Sequence, residues 1–178
     1  MTGRSESKLE TRVDPITFEV LRNAFRAICT EGSALLERVS YSPTITEGHD
    51  YSVALLTTDA RLIAHGFKDQ APHLGTFEEA LKSTLADVDH WEPGDVYLHN
   101  DPYTGGTHTN DVKLIRPVFF QGERVAYAVT LCHWADVGGP IPGSFHPRGH
   151  DHFQEGIRLP AMPLYQADRE VRSTFKLI

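Results

Sequence analysis

The segment Asn100-Asp101-Pro102-Tyr103-Thr104-Gly105-Gly106-Thr107-His108-Thr109-Asn110-Asp111 ends in His-x-x-Asp, and His133-Trp134-Ala135-Asp136 repeats that spacing. Imidazole together with carboxylate is the donor mix that holds Zn²⁺, Mn²⁺ or Fe²⁺. A divalent ion held with one position open polarises a carbonyl or activates water. A single motif this short recurs by chance, so its weight depends on whether the chain brings the two pairs together.

The elements between them do so. Val112 to Phe120 reads as a strand, Gln121-Gly122-Glu123 as a hairpin turn, and Arg124 to Cys132 as the return strand, with Val125, Tyr127, Val129 and Leu131 on one face. In an antiparallel pair the start of the first strand lies beside the end of the second. His108, Asp111, His133 and Asp136 are therefore expected at one end of a sheet. The Gly/Thr/Asn/Asp/Pro-rich run before Asp111 reads as a loop, in which Gly105-Gly106 makes room for a tight backbone path.

Upstream, Met1 to Val13 reads as a flexible polar tail. Asp14-Pro15 then signals a helix start. Phe18, Leu21, Phe25, Ile28, Gly32, Leu35 and Val39 recur at spacings of three and four, predicting one apolar helix face that runs to about Ser40, with Gly32 suggesting a packing role through close approach of another backbone. Ser42-Pro43 ends it. Tyr51 to Leu56 reads as a strand, Thr58 to Arg61 as a turn and Leu62 to Ala64 as its return. His65 to Gly75 reads as a loop, with Thr76 capping a second helix that holds Phe77, Ala80, Leu81 and Leu85. Val96-Tyr97-Leu98 is a short strand. His133 to Pro163 reads as loop throughout, and Ala167 to Ile178 as an amphipathic helix just beginning, which suggests an incomplete part of a longer subunit. The fold class expected is α+β: a mixed or antiparallel sheet with packed helices, in one domain over residues 14–178.

Bulk properties narrow the function. The 178 residues suffice for one core, and a formal net charge of −7 disfavours nucleic-acid binding. There is no apolar run of about 18 residues and no signal-peptide core at the start, so a cytoplasmic location is expected. Cys29 and Cys132 are expected as free thiols, Cys132 as a small buried residue rather than a nucleophile. Of the ten histidines, His146, His150 and His152 form a second cluster, which reads as a solvated loop.

Several ordered motifs carry a resemblance. NDPYTGGTHTNDVKLIRPVF, CHWADVGG, PGS and FQEGIRLP, with DPITFEVLRNAFRAI, GHDYSVALL and APHLGTFEEAL upstream, closely resemble the hydantoinase B / 5-oxoprolinase family from Asp14 to about Pro163. The resemblance implies the N-terminal part of a hydantoinase B-like subunit. It implies a divalent metal (Zn, Mn or Fe) held by Asp50, His108, Asp111 and His133. Asp50 also sits at the lip of a strand, where its side chain can turn inward. Asp136 becomes a supporter of His133 through the second ring nitrogen. His73 in the PHLG motif is a pocket-lining candidate, and Glu155 either an acid/base residue or a loop anchor.

With no Walker loop in the chain, ATP and Mg²⁺ are expected on a hydantoinase A-like partner subunit in a hetero-oligomer. The activity implied is ATP-dependent hydrolysis of a cyclic amide such as a hydantoin, 5-oxoproline or a lactam. An acetone- or acetophenone-type carboxylase subunit is the alternative, and a truncated non-catalytic assembly subunit a third. Gly48-His49 and Gly66 to Gln70 depart from the usual hydantoinase pattern, which leaves the substrate open.

Overall fold

A computed structural model describes residues 13–143 and 146–178; the predicted tail lies almost wholly outside them. Helix α1 (Pro15–Val39) starts as expected: Asp14 accepts hydrogen bonds from the backbone N–H groups of Ile16 and Thr17, each at 3.0 Å, and Pro15 occupies the first turn. A one-turn helix α2 (Pro43–Thr46) leads into β1 (Tyr51–Leu56) and β2 (Leu62–His65), followed by α3 (Ala71–Asp87), β3 (Val96–His99), β4 (Asp111–Phe120) and β5 (Glu123–His133). The chain ends in β6 (Met162–Gln166), β7 (Arg169–Glu170) and α4 (Arg172–Leu177).

Among the described residues all strands join one seven-stranded sheet in the order β2-β1-β5-β4-β3-β6-β7, and every pairing is antiparallel. The expected α+β class holds, in its antiparallel form. Strand parity assigns the faces. Ala54, Leu56, Tyr97, Ile115, Tyr127, Val129 and Leu131 pack under Phe77 and Leu81 of α3. Leu98, Val112, Leu159 and Leu164 build a second core on the other face. On that face too, α1 meets β1 and β2 through Cys29, Phe25 and Leu36 against Val53 and Ala64.

Three expectations need correction. The α1 stripe is not the buried face: Phe18, Leu21, Ile28, Leu35 and Val39 are exposed, while Cys29 and Ser33 are buried. The contact line runs through small residues because they admit the sheet closely; a Cβ on Gly32 would lie 3.1 Å from Val53. A helix of 25 residues, about 37 Å long, also overhangs the six-residue strand β1, about 20 Å long. The PHLG motif is not a loop but the first turn of α3, with Pro72 where its missing N–H costs nothing. The stretch read as loop up to Pro163 closes with β6, which pairs with β3 and hairpins into β7 before α4.

Candidate metal centre

Register places the site. Asp111 at the start of β4 lies directly opposite His133 at the end of β5. On the other side of β5, Tyr51 pairs with Cys132, and the backbone N–H of His133 donates to the carbonyl of Asp50 at 3.0 Å. Asp50, His133 and Asp111 thus form one row across three adjacent strands, all on the α3 face. His108 folds back onto the row from the preceding loop, and His73 descends from α3.

The side chains converge. Asp111 Oδ1 lies 3.0 Å from His108 Nε2 and 3.3 Å from His133 Nδ1, and Oδ2 lies 3.7 Å from His73 Nε2. Asp50 Oδ1 is 3.2 Å from His73 Nε2, and its Oδ2 is 3.6 Å from His133 Nδ1. Two sets of donor atoms, His108–Asp111–His133 and Asp50–His73–Asp111, each lie within 4.8 Å of one another and share Asp111. Thr107 donates a further hydrogen bond to the Asp111 carboxylate. Asp111, His133 and His73 are buried, while Asp50 and His108 are about a third exposed.

Electrostatics follow from the same contacts. Burial opposes ionisation of Asp111, but hydrogen bonds from His108, His133 and Thr107 outweigh it and hold the carboxyl far below its ordinary range. The hydrogen bond to Asp111 raises the pKa of His133, with the Asp50 charge adding to it. Burial dominates at His73 and lowers its pKa despite Asp111 and Asp50. His73 Nδ1 lies 2.9 Å from Ser52 Oγ, which itself accepts from the Gln70 N–H at 3.2 Å. The Ser52 hydroxyl proton is then available to Nδ1, leaving the ring proton on Nε2, toward Asp50.

The loop that delivers His108 is clipped at several points. Buried Asn100 donates to the carbonyls of Thr109 (2.6 Å) and Ile157 (2.9 Å) and accepts from Leu159 N–H at 2.5 Å. Asn110 donates to the Trp134 carbonyl at 2.6 Å. Gly105 has a φ of +104°, and a Cβ there would sit 2.2 Å from the Ala80 nitrogen, so the loop rests on the backbone of α3.

Two predicted residues stand apart. Asp136 is exposed, and its carboxylate accepts from the Gly138 N–H at 2.8 Å; no hydrogen bond joins it to His133 among the described residues. Glu155 meets the site through its backbone, its carbonyl accepting from Thr109 Oγ1 at 2.8 Å. Cys132 is free and its thiol is pushed up to about 11 by burial and by Asp50 and Asp111, the opposite of an activated nucleophile. Of the second histidine cluster, His150 is exposed, as expected for a solvated loop, but His146 and His152 are half-buried.

Three residues escaped the sequence reading: Ser52, His99 and Lys113. Lys113 is fully buried on the site's face of β4, and its Nζ has no hydrogen-bond partner among the described residues. Burial pulls its pKa down to about 8, against the pull of Asp111. Burial, with Lys113 next, lowers His99 to about 4. The available signal was alternation: Asp111, Lys113 and Ile115 share one face, so a lysine on a buried face was legible once the strand was placed.

Comparison with known proteins bears on the family and the fold. The chain is 35% identical to caprolactamase subunit beta of Pseudomonas jessenii over 167 residues, 93% of this chain and 29% of that protein. It is 31% identical to a 5-oxoprolinase of Dictyostelium discoideum, over 99% of this chain and 14% of that one. It therefore spans under a third of either relative. The crystal structure of the ATP-dependent caprolactamase from P. jessenii superposes with a TM-score of 0.81 at 32% identity, covering 93% of this chain and 28% of that chain. A nucleotide-free acetone carboxylase has a TM-score of 0.83 at 20% identity, covering 92% and 22%, a likeness of fold alone. The family model described as Hydantoinase B/oxoprolinase matches residues 14–178, and the chain belongs to that family.

Proposed function

We propose that this chain supplies the metal centre of an ATP-dependent enzyme that opens the C–N bond of a cyclic amide. The observation that carries the reading is the row Asp50–His133–Asp111 across β1, β5 and β4, with His108 closing over it. Two imidazoles and two carboxylates fit a divalent ion such as Zn²⁺, Mn²⁺ or Fe²⁺. Asp50, His108, Asp111 and His133 would hold it. Such an ion, when bound, supplies a Lewis acid for a carbonyl oxygen or a water of lowered pKa.

The chain's own residues do the rest. Thr107 and His108 keep Asp111 ionised and oriented. Ser52 fixes the ring of His73, which holds a proton at Nε2 against Asp50 and is the group placed to pass one to or from a bound substrate. Glu155 acts as a loop anchor through its carbonyl. Asp136 has no part in the reading.

ATP would be used on a hydantoinase A-like partner subunit. Sequence identity above 30% lies with proteins named caprolactamase and 5-oxoprolinase, which supports a cyclic amide as substrate class. The test is ATP hydrolysis by the chain with that partner across lactams, hydantoins and ketones, with and without bicarbonate. Turnover that depends on a cyclic amide and ignores bicarbonate is expected. Turnover only with a ketone and bicarbonate would overturn the substrate class in favour of carboxylation, and metal-free protein would overturn the centre.

A further inference from the structure

Helix α1 has two apolar lines, and the sheet covers only one. Phe25, Cys29 and Leu36 pack on Val53 and Ala64, with Gly32 and Ser33 in the same line. Beside it runs a strict seven-residue repeat. Its first positions are Phe18, Phe25, Gly32 and Val39, and its fourth positions are Leu21, Ile28 and Leu35. A helix that only covers a sheet follows the 3.6-residue period, and a stripe held to 3.5 drifts from it by about 20° per heptad. Such a stripe stays in contact along its length only with another helix. The fourth-position line is uncovered: Leu21 is 43%, Ile28 54% and Leu35 59% exposed, and Phe18 and Val39 at the two ends are exposed as well. No seam position is charged. These five side chains present on the order of 500 Å² of apolar surface, at the upper end of what a monomer leaves in water. A standard interface takes about 800 Å² from each partner, about 65% of it apolar between identical copies, which is the same amount.

We propose, independently of the metal reading above, that this stripe is a docking seam for α1 of a second copy of the chain, the two helices running antiparallel. In an antiparallel heptad pair, first positions of one helix face fourth positions of the other. A two-fold axis between Arg26 and Ala27 achieves this for the whole seam. It sets Phe18 against Leu35 and Phe25 against Ile28 of the second copy, each contact made twice. Leu21 falls over Gly32, which has no side chain to obstruct it. Ala24, exposed on the flank of the seam, leaves the approach open. The same register brings exposed Arg38, in the last turn of α1, beside Asp14, the N-cap of the second copy. A cation thus meets an anion at each end of the pair, and the two helix dipoles oppose one another. A parallel pair would align the dipoles and hold Arg38 a helix length away from Asp14.

Sedimentation equilibrium of the full chain, wild type against I28K/L35K, tests this. At about 50 µM the wild-type chain is expected at twice the monomer mass, dissociating on dilution, and I28K/L35K at the monomer mass with dimer affinity at least about 100-fold weaker. Both substitutions fall at exposed positions, so circular dichroism should not change. Orientation is read by cross-linking: F18C/L35C should give a covalent dimer on mild oxidation, and L35C alone should not. A wild-type monomer at that concentration, or a dimer that I28K/L35K leaves intact, overturns the proposal. Efficient cross-linking of L35C to itself overturns the antiparallel pairing. A wild-type monomer that instead binds the hydantoinase A-like subunit, with that binding lost in I28K/L35K, gives the seam to that subunit and overturns self-pairing. If I28K/L35K does not fold, I28Q/L35Q is judged on the same criterion, and failure of both to fold makes the stripe part of the chain's own core and overturns the proposal.

Discussion

Replacing Asn100 by alanine should cost this chain more than any surface substitution, and the size follows from three contacts. The side chain is fully buried and bonds the Thr109 carbonyl, the Ile157 carbonyl and the Leu159 N–H. N100A leaves two carbonyls and one N–H without these partners. Each such bond is worth about 1 kcal/mol net, and each orphaned buried group costs about 1–3 kcal/mol. Allowing water to reach some of them, the loss should be about 3 kcal/mol. Urea unfolding at neutral pH, followed by circular dichroism, reads it directly. At a slope of about 2 kcal/mol per molar the midpoint should fall by about 1.5 M. Asn100→Asp should be at least as damaging, because a carboxylate oxygen would replace the amide donor and face two carbonyls. Either loss below about 1 kcal/mol would refute the view that Asn100 clips the metal loop to the segment before β6.

Two further outcomes follow. G105A puts a Cβ against the backbone of Ala80 at a φ of +104°, so it should destabilise the chain by about 2 kcal/mol or more; the melting temperature and metal affinity should fall together. His99 has its pKa lowered from 6.5 to about 4 by burial, with Lys113 adding to it. Its folded state therefore favours the neutral ring, and the contribution is full above pH 6.5 and lost as pH falls toward 4. From pH 7 to pH 5 that amounts to about 2 kcal/mol of lost stability, which H99N should remove when urea midpoints are compared at the two pH values.

The hairpin between β4 and β5 was legible because alternation and a Gly turn fix register, and register alone brings Asp111 opposite His133. The same arithmetic carried Asp136 too far. It assumed the chain continues along the strand axis past His133, whereas the Trp134 N–H turns back to the Asn110 carbonyl at 2.8 Å and sends Asp136 to solvent. Asp50 was reached through the family resemblance. Its place in the row depends on β1 pairing with β5, a contact between residues about eighty positions apart that no local pattern encodes. The sequence reading starts the second helix at Thr76 and leaves His73 in the loop before it, yet Pro72 falls in the first turn of α3, and Gly75 is carried within the helix. The exposed stripe of α1 shows the limit of periodicity. Spacing identifies an apolar face, but small residues at Cys29, Gly32 and Ser33 decided which line could approach the sheet. Lys113 lay on a strand that was read as one, while His99 fell one residue past the expected strand Val96–Leu98 and is the last residue of β3.

The central claim is that Asp50, His108, Asp111 and His133 hold one divalent ion. The most direct measurement is the metal content of the purified chain by elemental analysis, for wild type and His108→Ala, with circular dichroism to confirm that both are folded. The account predicts about one divalent ion per wild-type chain and almost none in the variant. Unchanged metal content in a folded His108→Ala chain would contradict it.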